Sequence, residues 1–288
     1  MDYLNMESNL TSSERISPYA LHDILPLRAS MAPALLLLSI LGYLTYKDYS
    51  AFLELGPGGT PSTFCGYMKI TFLRIFFALS DPLCPSPIPT ELENTGFLRA
   101  GTISPRQDRR PDVRGIAPHR QINQIPPQDV FNYLSTSIMK LAKDYPSKFR
   151  ISTSAFEKHC PGLFSLKKAN PAGNGEVCHA HPSDGSLHMT LHPEDIKTVL
   201  EAGWGERHPL SRGGWCSRFV PQQFVMIYAP RSKEEVETVM EIIKAGVGWI
   251  SGEAFVPNSS EEAQNIMPFI APEQSHDCMD QRCGAVAS

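Results

Sequence analysis

"HAHPSDGSLHMTLH", residues 179–192, holds four of the chain's nine histidines and also carries the pattern that decides the fold. In its second half Leu187, Met189 and Leu191 alternate with His188, Thr190 and His192, the period of a half-buried strand whose leucine side faces a core. The stretch before it is β-like through Val177 and His181. If Pro182 to Gly185 form a four-residue hairpin loop, residue 181 lies opposite 186 and residue 179 opposite 188. His179, His181 and His188 then share the face turned away from the core.

Working outward, Pro193 opens a helix with Glu194 and Asp195 in its first turn, Ile196, Val199 and Leu200 turned inward, and Gly203 as its stop. "QFVMIYAP", residues 223–230, reads as a strand. A Ser232/Glu235 capping box then starts a helix striped by Val236, Val239, Met240, Ile243 and Val247. Upstream, Val130, Leu134, Ile138 and Leu141 recur at helical spacing until Pro146. The order β-β-α-β-α predicts an α+β domain over 127–252, an antiparallel sheet with helices packed on one side.

A chain of 288 residues, 42% hydrophobic, can bury one large core or two small ones. Its formal net charge of -4 gives no broad positive field, which removes the electrostatic case for a nucleic-acid partner. The basic run from Arg106 to Arg114 reads as a solvated linker. Seven scattered cysteines, without a C-x-x-C pair, argue against a structural zinc site and a disulfide framework, and Cys278 with Cys283 can pair only in a polar tail.

The N-terminal third points to a membrane. A polar tail over 1–28 precedes an apolar run over 29–46, close to the roughly 20 residues that span a bilayer, which reads as an anchor helix preceding the α+β domain. Phe64 to Leu79 is aromatic-rich but holds Lys69 and Arg74, which fits an interfacial or buried helix. "GPGGTP", residues 56–61, lacks the Lys and Ser/Thr of a phosphate loop and is a turn. Residues 47–126 together read as an amphipathic and proline-rich connection, and 253–288 as a disordered tail. The expected location is a membrane, single-pass or peripheral, at the endoplasmic reticulum.

On the open face of the hairpin, Asp184 and His208 of "GWGERHPL" can join the imidazoles. A metal site, a metal-free acid/base pocket and structural histidines all stay open, because no H-E-x-x-H spacing is present. His119 and His159 fall outside the cluster and read as structural.

"YSAFLELGPGGTP", "STSAFEKH", "HAHPSDGSLH", "GWGERHPL" and "YAPRSKEE" occur in an order that resembles the fungal luciferase family, the enzymes that oxidise 3-hydroxyhispidin. The resemblance runs from about Tyr49 to Trp249, while the segments between the motifs, the proline-rich region and a tail after Ile250 differ, which points to a non-luminescent member. It implies O2 as co-substrate, addition to an electron-rich pyrone, closure of a peroxide ring and loss of CO2, with no organic cofactor. On that basis His179, His181, Asp184, His188 and His208 supply the base, Arg207 and Arg231 stabilise developing charge, and Trp204 and Tyr228 line an aromatic ring site. Each has a structural alternative: Trp204 as a core plug, Arg231 paired with Glu234 or Glu235, and the neighbouring Glu206 as an ion-pairing residue. The expected function is oxidation of a polyketide or pyrone-type small molecule in secondary metabolism. A metal-dependent hydrolase or lyase on the same histidines, and a non-catalytic small-molecule binder, are the alternatives.

Overall fold

The hairpin forms as its alternation demands. In the computed structural model, β5 (Glu176–Ala180) and β6 (Leu187–Thr190) pair antiparallel with His179 opposite His188. The His181 amide donates to the Ser186 carbonyl at 2.8 Å, which closes the four-residue loop. Leu187, Met189 and Leu191 are at most 1% exposed and lie in the main apolar core. The structure describes residues 18–256 apart from 99, 100 and 171. The expected polar tail up to residue 17, and the expected C-terminal tail from residue 257 with Cys278 and Cys283, lie outside the described residues.

The hairpin is the centre of a six-stranded antiparallel sheet. On one side lie β4 (Pro161–Ser165) and the edge strand β3 (Phe149–Thr153); on the other lie β8 (Phe224–Ile227) and the edge strand β7 (Gly205–Arg207). The strand order is β3-β4-β5-β6-β8-β7. Three of these strands were not expected from the sequence. Edge strand β3 exposes most of its side chains, Ile151 included, and β7 has only three residues, so neither shows a hydrophobic period.

One face of the sheet carries α3 (Gln128–Asp144) and α5 (Lys233–Ser251), which pack on each other, α3 over β3 and β4 and α5 over β4, β5 and β6. Val130, Leu134, Ile138 and Leu141 of α3 are buried, as are Val236, Val239, Met240, Ile243 and Val247 of α5. Ser232 caps α5 by accepting the Glu235 amide at 3.3 Å, and Gly252 ends it in the left-handed region at φ 75°. Helix α4 (Pro193–Glu201) packs against β7 and is capped by His192, whose Nδ1 accepts the Glu194 amide at 3.2 Å.

The opposite face is where much of the connecting region at 47–126 lies against the domain. Part of it builds a second layer over the histidine side of the sheet, with Phe52, Tyr67, Ile70, Leu73 and Ile116 packed on Leu210, Val220 and Phe224, while Phe97, Leu98 and Ile103 join the main core. Helix α1 (Pro18–Glu54) is joined to α2 (Phe64–Phe77) through Asp48, which accepts Tyr67 Oη at 2.9 Å and two Arg74 nitrogens at 2.7 and 3.2 Å. A short hairpin of β1 (Val113–Gly115) and β2 (His119–Gln121) completes the layer. The basic run is likewise not a free linker, since Arg106 is buried beside the Trp204 and Tyr228 rings and Arg110 donates to the Gly205 carbonyl at 2.8 Å.

The apolar run at 29–46 lies inside α1, and its side chains from Met31 onward are exposed. Among the described residues no helix is long and apolar enough to cross a membrane. Helix α2 buries Gly66, Tyr67, Ile70 and Leu73 and exposes Phe64, Met68, Phe72, Ile75 and Phe76.

Two substitutions test this packing by urea denaturation. Met189→Ala, which empties a buried site between sheet and α5, is expected to cost about 2–5 kcal/mol. Ser232→Ala removes only a helix cap and is expected to cost about 1 kcal/mol with no change in the sheet.

Candidate active site

Five imidazoles, rather than the expected four, meet on the sheet face beneath the N-terminal layer. His179, His181, His188, His208 and His119 are each at most 4% exposed. His188 on the central strand is their hub, with ring centroids 5.3 Å from His119, 5.4 Å from His179, 4.6 Å from His181 and 5.4 Å from His208. His119, expected outside the cluster, is carried into it by β2, and its ring stacks on His188 at 14°. Nothing near residue 119 announces this, because the contact spans 69 residues of chain. His159 does stay apart, with Nε2 3.2 Å from the Gly58 carbonyl, and His192 serves as the α4 cap.

Each ring is held by a specific partner. Between β4 and β5 the register passes from Leu163↔Cys178 to Phe164↔Glu176, leaving Val177 as the extra residue of a bulge. The bulge returns Glu176 to the face of His179, and its Oε1 lies 2.7 Å from His179 Nδ1. Glu176 also accepts Ser154 Oγ and the Ala155 amide, both at 2.7 Å. His181 Nδ1 lies 2.9 Å from Ser186 Oγ and 3.5 Å from Asp184 Oδ1. Ser186 donates to Asp184 Oδ2 at 3.0 Å, and the Gln121 amide donates to the same oxygen at 2.7 Å. Asp184 thus fixes the hairpin loop, β2 and His181 together.

A third chain begins at Tyr228, whose hydroxyl donates to Glu206 Oε2 at 2.9 Å. Glu206 Oε1 lies 3.4 Å from His119 Nε2, and His119 Nδ1 lies 3.0 Å from His188 Nε2. Glu206 thus sits behind the cluster, between the Tyr228 hydroxyl and His119. His208 is used at both nitrogens: Nε2 donates to the Ile116 carbonyl at 2.9 Å, and Nδ1 accepts the Leu210 amide at 3.1 Å.

Burial sets the charge of this site. It pulls His188 and His208 well below the ordinary imidazole range, with the neighbouring imidazoles adding to the effect, and pulls His181 down to about 4 against the opposing bond to Asp184. These three rings are neutral at pH 7. Burial alone raises the Asp184 carboxyl, but the bonds from His181 and the Gln121 amide hold it below its ordinary value.

A cavity of about 310 Å³ opens above the rings. His119, His179, His188 and His208 form its floor; Ile70 and Leu73 of α2, Ile116, Phe156, Phe219 and Phe224 line its walls; Lys69, Lys158 and Arg218 bring positive charge to it. Phe224 lies against His188 at 5.1 Å and 24°, and Phe156 tilts against Phe224 at 4.5 Å. One ring nitrogen from each of His179, His181 and His188 lies within 4.8 Å of the others, and the same is true of His119, His188 and His208. The geometry allows either proton transfer from the floor or capture of a metal ion by it.

Six of the residues expected at the site do not line the cavity: His181 and Asp184 sit in the cluster beneath it, and the other four are held elsewhere. Trp204 is 2% exposed in the main core and donates from Nε1 to the Ser104 carbonyl at 2.7 Å, so it is the core plug. Tyr228 is fully buried behind the floor, where burial and Glu206 raise its hydroxyl pKa. Arg207 donates to the Ser211 and Cys84 carbonyls at 2.5 and 3.4 Å. Arg231 is paired with Glu235 at 2.5 Å and Asp108 at 2.9 Å. Its guanidinium balances neighbouring carboxylates and has no line to the imidazoles. The cations at the cavity, Lys69, Lys158 and Arg218, carry no local signal, since each belongs to a segment that reaches the floor only through the tertiary fold.

Comparison with known proteins bears on this same region. The family model described as the luciferase domain matches residues 174–246, from the approach to β5 into α5, which includes four of the five clustered histidines. A luciferase of Neonothopanus nambi is 29% identical over 229 residues, covering 72% of this chain and 81% of the relative. A luciferase of Armillaria gallica is 30% identical over 229 residues, covering 72% of this chain and 82% of the relative. No solved structure gives a significant match. With the histidine hairpin inside the matched domain and a luciferase 30% identical across most of its length, the chain belongs to the fungal luciferase family.

Proposed function

We propose that this protein is a luciferase-like oxidative enzyme that uses O2 on a small electron-rich molecule of pyrone or polyketide type in secondary metabolism. The observation that carries this is a cavity of about 310 Å³ whose floor is buried imidazole, in a chain whose relatives are named luciferases. That volume is in the range of small-molecule sites. Phe156 and Phe224 offer apolar faces to a flat ring, and Lys69, Lys158 and Arg218 favour an enolate over its neutral form. The second layer keeps bulk water from the floor, where reactive oxygen adducts would otherwise be quenched.

The roles differ from those the sequence offered. His188 is the proposed centre, with His179 and His181 beside it; Asp184, Glu176 and the Glu206–His119 pair orient the rings. A second reading, a metal-dependent hydrolase or lyase, is favoured by the three-imidazole group alone. For location we propose the surface of a membrane such as the endoplasmic reticulum. It is supported by the exposed apolar side chains of α1 and α2, among them Leu36, Leu41, Phe72, Ile75 and Phe76, with Trp215 nearby against Phe77.

Two measurements test these proposals. His188→Gln is expected to reduce O2 uptake with a hydroxypyrone by at least about 100-fold while the thermal midpoint of the protein stays near that of wild type. Wild-type turnover in that variant would remove the cluster from the mechanism, and a binding protein would show no O2 uptake in either form. Deleting residues 1–46, which spares Asp48 and its bonds to α2, is expected to move most of the protein from the membrane pellet to the supernatant. An unchanged pellet fraction would assign attachment to α2 alone.

A further inference from the structure

Three of the five imidazoles have a lone pair left over, and the hydrogen bonds say which. A neutral imidazole that donates from one nitrogen offers an acceptor at the other. His179 gives Nδ1 to Glu176, and His181 gives Nδ1 to Ser186, whose own proton goes to Asp184. The remaining Nε2 atoms of His179 and His181 are fully buried and have no hydrogen-bond partner among the described residues. On the third ring, His119 Nε2 faces the Glu206 carboxylate at 3.4 Å, which favours its proton on that side and leaves Nδ1 to accept from His188 Nε2 at 3.0 Å. That leaves Nδ1 as the free acceptor of His188.

We propose that His179 Nε2, His181 Nε2 and His188 Nδ1 together bind one divalent first-row transition-metal ion at the floor of the cavity. The alternative group of His119, His188 and His208 fails on the same accounting. His208 has spent both nitrogens on the Ile116 carbonyl and the Leu210 amide, and His119 turns Nε2 toward the Glu206 carboxylate and Nδ1 to His188. The chosen three are the ones whose second nitrogen leads to a carboxylate: directly at Glu176, through Ser186 at Asp184, and through His119 at Glu206. Carboxylate partners of this kind fix the tautomer and strengthen the ligand, and they characterise metal-bound histidine. An all-imidazole, uncharged donor set suits zinc, iron, copper or nickel and disfavours calcium and magnesium, which take oxygen ligands. His179 and His188 line the cavity, so coordination positions not taken by protein face the bound molecule.

The site shares its cavity with the oxidation proposed above, and the experiment separates them. The full chain is dialysed against chelator and titrated with Zn²⁺ by calorimetry and with Co²⁺ by visible absorption. One ion per chain, with nitrogen-type Co²⁺ absorption and a thermal midpoint that rises with Zn²⁺, is expected. His179→Ala and His181→Ala should each weaken Zn²⁺ binding at least about 100-fold. Glu176→Gln, a positioning change, should weaken it about 10–100-fold, and folded His208→Gln should keep full stoichiometry. A folded wild-type protein that binds neither ion overturns the site, as does unchanged affinity in the two alanine variants. Loss of binding in folded His208→Gln overturns the choice of ligands. O2 uptake is read in parallel. Uptake by protein that binds no ion overturns the metal site and leaves the oxidation standing; stoichiometric binding by protein without uptake supports the site and removes the oxidation.

Discussion

Putting imidazoles into an interior from which water is excluded costs free energy for every nitrogen left without a partner, and this protein buries five rings in contact. Three acidic side chains, Glu176, Asp184 and Glu206, answer that cost, and much of the architecture on this face exists to bring them there. The bulge at Val177 turns Glu176 toward His179. The loop of the hairpin places Asp184 under His181 and ties it to β2 through the Gln121 amide. The edge strand β7 contributes Glu206 and then His208. Removing any one of these carboxylates leaves a buried donor unanswered, which is why they belong to the site although they do not carry the reactive lone pairs.

The two faces of the sheet solve different problems. Toward α3 and α5 the side chains are aliphatic, supplied by Leu187, Met189, Val225 and Ile227, and the stability of the sheet resides there. Toward the second layer the central strands present His179, His188, Phe224 and Met226 in register. Chemistry on this side is therefore uncoupled from the packing that holds the fold, since alternation along one strand assigns successive residues to different tasks.

How much of this the sequence discloses depends on whether the signal is local. The hairpin, its register, the inward stripe of α5 and the shared face of His179, His181 and His188 follow from spacing, and the structure has them as read. Edge strand β3 leaves no trace because most of its residues are exposed, and Glu176 looks like an ordinary strand acid until the bulge is known. Trp204, Tyr228, Arg207 and Arg231 have the right chemistry for an enzyme site, but their partners, Ser104, Glu206, Ser211 and Glu235, spend it elsewhere. His119 escapes for the opposite reason. Its position in a short proline-flanked hairpin gives no period to follow, and its role arises only from contact with a residue far along the chain.

The order in which the layers occur along the chain has a consequence for biosynthesis. Phe52, Tyr67, Ile70 and Leu73 leave the ribosome well before Leu210, Val220 and Phe224, the residues that bury them. During that interval the second layer has no sheet to rest on, and its apolar side chains stay uncovered while the hairpin is still being made. Final docking also dehydrates the imidazoles, because His119 and the Ile116 carbonyl arrive with the early segment and meet His188 and His208 only at the end. Maturation of the cavity is thus a late, long-range step, because the apolar segments of the second layer precede the strands that cover them. Its yield in a cell depends on what shelters residues 52–77 until the strands exist.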